Sequence, residues 1–124
     1  MASILIADDI PEIVSMLVEL VETVGHVCQT AENGKECLDC FEKGQFDVVL
    51  VDYSMTPVDG LCVLQKIRES SPSVPVLVMT GLEMTELAEK LKNEGAFAVI
   101  EKPFEIQGLL SIIQSALDAG KIAK

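Results

Sequence analysis

The sequence predicts an α/β fold of the (βα)₅ type, a doubly wound parallel five-stranded sheet, and three observations predict it. Short apolar runs rich in β-branched residues alternate five times with longer segments of helical period. The third and fourth runs are almost wholly apolar, as strands covered on both faces must be. No linker-like stretch separates the units, so at 124 residues the chain reads as one domain, residues 1–124. Because parallel connections are right-handed, five such units put helices on both faces of an open twisted sheet.

The first strand is expected over Ser3 to Ala7. Asp9 can cap the helix that follows, with Pro11 near its first turn and Gly25 just past its end. A second strand spans Val27 to Ala31, after which Asn33 opens a helix and Gly44 closes it. The third strand, Phe46 to Val51, leads to a helix over about Gly60 to Glu69 that stops before Pro72. The fourth, Val74 to Met79, precedes a helix over about Glu83 to Asn93 that ends at Gly95. Met84, Leu87, Ala88 and Leu91 form its apolar stripe, opposite a charged face. The fifth strand covers Phe97 to Ile100, and the last helix runs from about Glu105 to Ala119 with Gly120 as its stop.

Composition narrows the function. A formal net charge of -11 repels phosphate backbones and anionic lipid, which argues against direct nucleic-acid binding. The apolar start, Met1 to Ile6, has no basic flank and is interrupted by Asp8 and Asp9, so no signal peptide is expected. No apolar run is long enough to span a bilayer, and the expected compartment is the cytoplasm. Cys28, Cys37, Cys40 and Cys62 are too few for a stapled scaffold. Cys37 and Cys40 form a CxxC pair, but His26 is the sole histidine and no second pair completes a zinc site, so these thiols are read as small core hydrophobes.

In open parallel sheets, function sits at the carboxyl ends of the strands. The carboxyl end of the first strand carries Asp8 and Asp9, the third strand ends at Asp52, the fourth at Thr80, and Lys102 follows the fifth, so all five are expected on one rim. Two like charges about 4 Å apart near a protein surface repel by about 4 kcal/mol. Lys102 offsets only part of that, and either a divalent cation or protonation of one carboxylate must supply the rest. An all-oxygen, partly hydrated site suits Mg²⁺. A metal beside a carboxylate, a hydroxyl and an ammonium makes a phosphoryl-transfer site, with Asp52 as nucleophile and with Thr80 and Lys102 holding phosphoryl oxygens. Gly81 leaves room for the incoming group.

The segments ILIADD, VVLVDYSMTPVDG, VLVMTG and EKPF carry these residues in that order, and through them the chain resembles the response-regulator receiver family over essentially its whole length. The resemblance implies a flavodoxin-like sheet of order 2-1-3-4-5. It also implies a two-component phosphoacceptor whose Asp52 receives a phosphoryl group from a histidine kinase or a histidine phosphotransfer protein, not an enzyme with an external substrate. The family places Mg²⁺ on Asp9, Asp52 and the Ser54 backbone carbonyl, with Asp8 acting mainly through water, and makes the Lys102–Pro103 peptide cis. Several positions depart from its pattern. Thr56 intervenes before Pro57, Val99 replaces an aromatic that swings inward in relatives, and Ser54 and Leu82 offer no acid or amide to orient water. A rotating aromatic switch is therefore not expected, and self-dephosphorylation should be slow. A haloacid-dehalogenase-like phosphatase also uses an Asp after a strand, but usually carries a second Asp two residues on, where this chain has Ser54.

Two helix faces carry surplus apolar residues. On the first helix Ile13, Leu17, Leu20 and Val24 form the expected core stripe, leaving Val14 and Val18, with Ile10, as docking candidates for a phosphohistidine partner. On the fifth, Ile106, Leu110, Ile113 and Leu117 suit the core and Ile112 lies well round the wheel, with Leu109 and Ala116 able to widen the buried stripe. By resemblance, that face would serve a downstream protein target or a phosphorylation-dependent homodimer.

Overall fold

A computed structural model describes residues 2–56, 58–81 and 85–123. Met1, Pro57, Leu82, Glu83 and Met84, each named above, lie outside the described residues. The chain runs β1 (Ser3–Ala7), α1 (Pro11–Thr23), β2 (Val27–Ala31), α2 (Gly34–Lys43), β3 (Val48–Asp52), α3 (Gly60–Ser70), β4 (Val76–Thr80), α4 (Thr85–Asn93), β5 (Ala98–Glu101) and α5 (Ile106–Ala123).

The five strands form one parallel sheet of order β2-β1-β3-β4-β5. β3 and β4 are buried at every position, which is why their sequences are nearly continuous apolar runs. Alternate residues of each strand feed two cores. Leu5, Val49, Val51, Val76 and Val78 pack with Cys37, Val63, Leu64, Ile67 and Leu91 on the α2, α3 and α4 side. Ile4, Ile6, Leu50, Leu77 and Met79 pack with Leu17, Val21, Leu109, Ile113 and Ala116 on the α1 and α5 side.

Several local expectations need correction. β3, β4 and β5 each begin and end one or two residues later than the expected apolar runs, and Asp52 and Thr80 are the last residues of their strands, as the rim reading required. Asp9 does not cap α1. Ile10 occupies the cap position without a side-chain bond, and Asp8 Oδ1 accepts the Ile10 N–H at 2.9 Å, while Pro11 has no N–H to satisfy. Asn33 caps α2 as expected, accepting from Glu36 N–H at 2.8 Å, and Asp59 caps α3 by accepting from Cys62 N–H at 2.9 Å.

On α1 the buried stripe is Leu17 and Val21, and Val24 is exposed because it lies past the last turn. On α5 the stripe is Leu109, Ile113, Ala116 and Leu117, with Ile106 exposed at the first position. Gly120 does not stop the helix. A glycine ends a helix effectively only where a left-handed residue is needed, as at Gly25 (φ 90°) and Gly95 (φ 107°). The Lys102–Pro103 peptide is cis.

Candidate functional site

Four strand ends, those of β1, β3, β4 and β5, meet at one rim, and main-chain bonds between neighbours fix their heights. Asp8 N–H donates to Ala31 O at 3.2 Å, Tyr53 N–H to Met79 O at 2.8 Å, and Lys102 N–H to Thr80 O at 2.7 Å. Asp8, Asp52 and Thr80 are all buried, although the remaining buried residues are hydrophobic or glycine and proline. Burying polar groups in this way is costly unless they are partnered.

The partner is Lys102. Its Nζ lies 2.8 Å from Asp8 Oδ2 and 2.9 Å from Asp52 Oδ1, so one ammonium bridges two carboxylates from different strands. Both oxygens of Asp8 are thereby engaged, one by Lys102 and the other by the Ile10 N–H. Asp9 is exposed and makes no hydrogen bond or ion pair among the described residues. Oxygens of Asp8, Asp9 and Asp52 nevertheless lie within 4.8 Å of one another. Three formal negative charges against one positive leave a deficit of two.

The titration behaviour follows from that crowding. The Asp52 carboxyl is pushed above the usual carboxylate range, first by burial; the Lys102 hydrogen bond pulls it back, and Asp8 and Asp9 push it further up. Burial works against the Lys102 ammonium, but its hydrogen bonds to Asp8 and Asp52 outweigh that and hold it above its ordinary value.

A divalent cation fits this donor set. The ligands are hard oxygens, they converge, and the unbalanced charge equals that of the ion. Thr80, buried at the end of β4, stands beside β5, where Glu101 precedes Lys102. Ser54 is exposed just beyond β3. A Cβ added at Gly81 would meet nothing within 4 Å, so the space expected there is present and does not depend on the glycine. Gly60 is different, because an added Cβ would lie 2.7 Å from Asp52 O and from Tyr53 Cα. That glycine lets the start of α3 close against the end of β3, a requirement that sequence reading assigned only to a helix start.

Val99 is half-buried and packs into the core on the α2, α3 and α4 side. Phe97 precedes β5 and is exposed. Ile10 is exposed, whereas Val14 and Val18 are half-buried. Among the described residues no helix is long and apolar enough to cross a membrane.

The family model described as "Response regulator receiver domain" matches residues 4–114. The "DNA-binding transcriptional regulator NtrC" of Escherichia coli is 32% identical over 112 residues, which cover 90% of this chain and 24% of that relative; the chain thus spans about a quarter of its length. Among solved structures, a response regulator receiver domain protein from Clostridium thermocellum superposes with a TM-score of 0.95 at 30% identity, covering 100% of both chains. The response regulator protein TrrA from Thermotoga maritima, solved in complex with Mg²⁺-BeF, superposes with a TM-score of 0.86 at 30% identity over 94% of this chain and 100% of that one.

Proposed function

Because the chain belongs to the response regulator receiver family, we propose that Asp52 is its phosphoacceptor and that residues 1–124 act as one signalling unit. The observation that carries this reading is the pairing of one lysine with two carboxylates, at 2.8 and 2.9 Å, inside a three-carboxylate cluster. The side chains of Asp8, Asp9 and Asp52 and the Ser54 carbonyl would hold Mg²⁺, Asp8 through water. When bound, the ion supplies charge neutralisation for the carboxylates and for the phosphoryl oxygens.

A carboxylate oxygen of Asp52 attacks the phosphorus of a phosphohistidine on a histidine kinase or a phosphotransfer protein. The new P–O bond replaces the P–N bond, and the imidazole leaves with the electron pair and takes up a proton. Lys102 moves from its two carboxylates toward a phosphoryl oxygen, and the Thr80 hydroxyl donates to another. Burial of Asp52 keeps bulk water from the acyl phosphate, and neither Ser54 nor Leu82 carries an acid or amide to orient a hydrolytic water, so the phosphorylated state decays slowly. The protein is a signalling acceptor rather than an enzyme with an external substrate.

Ile10, with the half-buried Val14 and Val18 behind it, receives the phosphohistidine partner. Output passes to a downstream protein target, or through a phosphorylation-dependent homodimer, by contact rather than by direct nucleic-acid binding or membrane insertion; the cytoplasm fits this chemistry. Incubation with acetyl phosphate or phosphoramidate and Mg²⁺, followed by intact mass, tests the reading. Gain of one phosphoryl group, abolished by chelation and absent in Asp52→Asn, is expected. A protein that takes up no phosphoryl group under these conditions refutes it.

A further inference from the structure

We propose that the open edge of β2 is a docking site for an extended basic segment of a partner protein, which adds to the sheet as a further strand. β2 is the outer strand of the sheet and pairs only with β1. Val27 N–H donates to Ala2 O at 2.9 Å, and Ala31 O accepts from Asp8 N–H at 3.2 Å. In a parallel ladder the residues bonded to one neighbour alternate with those facing the other way. Val27, Gln29 and Ala31 therefore turn their main chain toward β1, and Cys28 and Thr30 turn theirs toward the open edge.

Edge strands are ordinarily blunted by proline, lysine, a bulge or a covering loop. β2, with the sequence VCQTA, carries no proline or charge, and its register with β1 is unbroken from Val27 to Ala31. Val27 is 47% exposed. A groove lies along each side of the strand. Val14, Val18 and Cys28 line the one toward α1, with Glu19 and Glu22 among its walls. The groove toward α2 carries Glu36 and Asp39, and Lys43 is the one base lining either groove.

Charge selects the occupant. A second copy pairing edge to edge would bring these acidic walls against their own likeness, which disfavours self-association. An added strand sends alternate side chains into the two grooves. A segment of alternating basic and short aliphatic residues thus gains main-chain bonds from Cys28 and Thr30, ion pairs from the walls, and apolar contact with Val14 and Val18. The net charge of -11 favours its approach. The pairing needs no phosphoryl group on Asp52, but it shares Val14 and Val18 with the phosphohistidine surface proposed above, so the two partners would compete for that side of α1.

The test titrates a short peptide of alternating lysine and valine into ¹⁵N-labelled full chain without phosphodonor. Binding below about 1 mM, with the largest amide shifts and new exchange protection at Cys28 and Thr30, is expected. The Glu22→Lys, Glu36→Lys double variant should bind about tenfold more weakly, and a peptide N-methylated at alternate amides should lose binding although its charge is unchanged. Three results overturn the proposal. They are an absence of binding at that concentration, equal binding of the N-methylated peptide, and shifts centred on the Asp8, Asp9 and Asp52 rim. Dimerisation of the free protein through β2 would replace it with self-association.

Discussion

Asp52→Asn should make the metal-free protein more stable, even though it removes a residue that is salt-bridged. Asparagine keeps the shape and leaves a carbonyl for Lys102. At an effective dielectric near 20, Asp8 and Asp52 oxygens no more than 4.8 Å apart repel by about 3.5 kcal/mol. The Lys102 ammonium at 2.9 Å attracts Asp52 by about 6 kcal/mol on the same scale. Asp9, more exposed and better screened, adds a smaller repulsion. Attraction and repulsion thus nearly cancel, and burial decides the sign by disfavouring the charge, which is why the Asp52 carboxyl sits above its ordinary range.

A folded-state pKa above the unfolded one means that the native protein holds its proton longer as pH rises. The associated stability is complete below the unfolded value of 3.8 and is lost as pH climbs through the folded one. At neutral pH the charge is therefore a net cost, and each 1 kcal/mol of it is worth about 4 °C in Tm for a domain of this size. Thermal unfolding in EDTA should show that gain in Asp52→Asn, and Mg²⁺ should then reverse the order. Each tenfold excess of Mg²⁺ over its Kd adds about 1.4 kcal/mol to the native protein, whereas the variant, short of one carboxylate, should respond much less. An Asp52→Asn protein that melts lower in EDTA, or that gains as much from Mg²⁺ as the native one, would refute the electrostatic account.

Lys102→Met should destabilise the metal-free protein by about 3 kcal/mol in urea unfolding, because Asp8 and Asp52 lose their shared partner; Mg²⁺ should restore part of the loss, and no restoration would argue against a metal at this rim. Gly60→Ala drives a Cβ to 2.7 Å from Asp52 O and Tyr53 Cα, so it should cost about 1–3 kcal/mol and slow phosphorylation, measured by urea unfolding and by the rate of mass gain. The Cys37 thiol, pushed from 9.0 up to about 12 by burial in the first place, should react with iodoacetamide on the order of a thousandfold more slowly than an exposed thiol in the native state. For the same reason stability should fall between pH 9.0 and about 12, by up to about 1.4 kcal/mol per unit, because the unfolded chain releases that proton first; Cys37→Ser should flatten this slope.

How much of this was legible in the sequence depends on what kind of signal each feature leaves. β1 and β2 were readable to the residue, since Asp8 and Asp9 stop the first run and Gly25, His26, Glu32 and Asn33 bound the second on both sides. The later strands drifted by one or two positions, because Phe46, Val74 and Phe97 extend the apolar runs ahead of the paired residues. The helix faces were misread where a stripe reaches a helix end. Val24 and Ile106 obey the period but lie where no neighbour covers them. The five rim residues were legible because strand ends in a parallel sheet share one edge, and that follows from topology alone. Their division of labour was not. Nothing in the order Asp8, Asp9 tells which carboxylate turns inward to bond both the Ile10 N–H and Lys102, and which stays exposed.

That division explains how a repulsive cluster can be held ready for an ion. Asp8 is fixed by four anchors: its own N–H on Ala31 O, one carboxylate oxygen on Ile10 N–H, the other on Lys102, and burial. Lys102 is in turn tied through its N–H to Thr80 O. Asp8 is thus built into the sheet and would hold its place when charge arrives, while the Lys102 ammonium would shift toward the phosphoryl group. Asp9 lies outside these bonds, and it is the carboxylate free to swing onto a cation. Val99, half-buried in the core on the α2, α3 and α4 side, puts no large ring at its own position. A change of charge at Asp52 would reach β4 and β5 together through Lys102 and Thr80, whose main chains are joined at 2.7 Å.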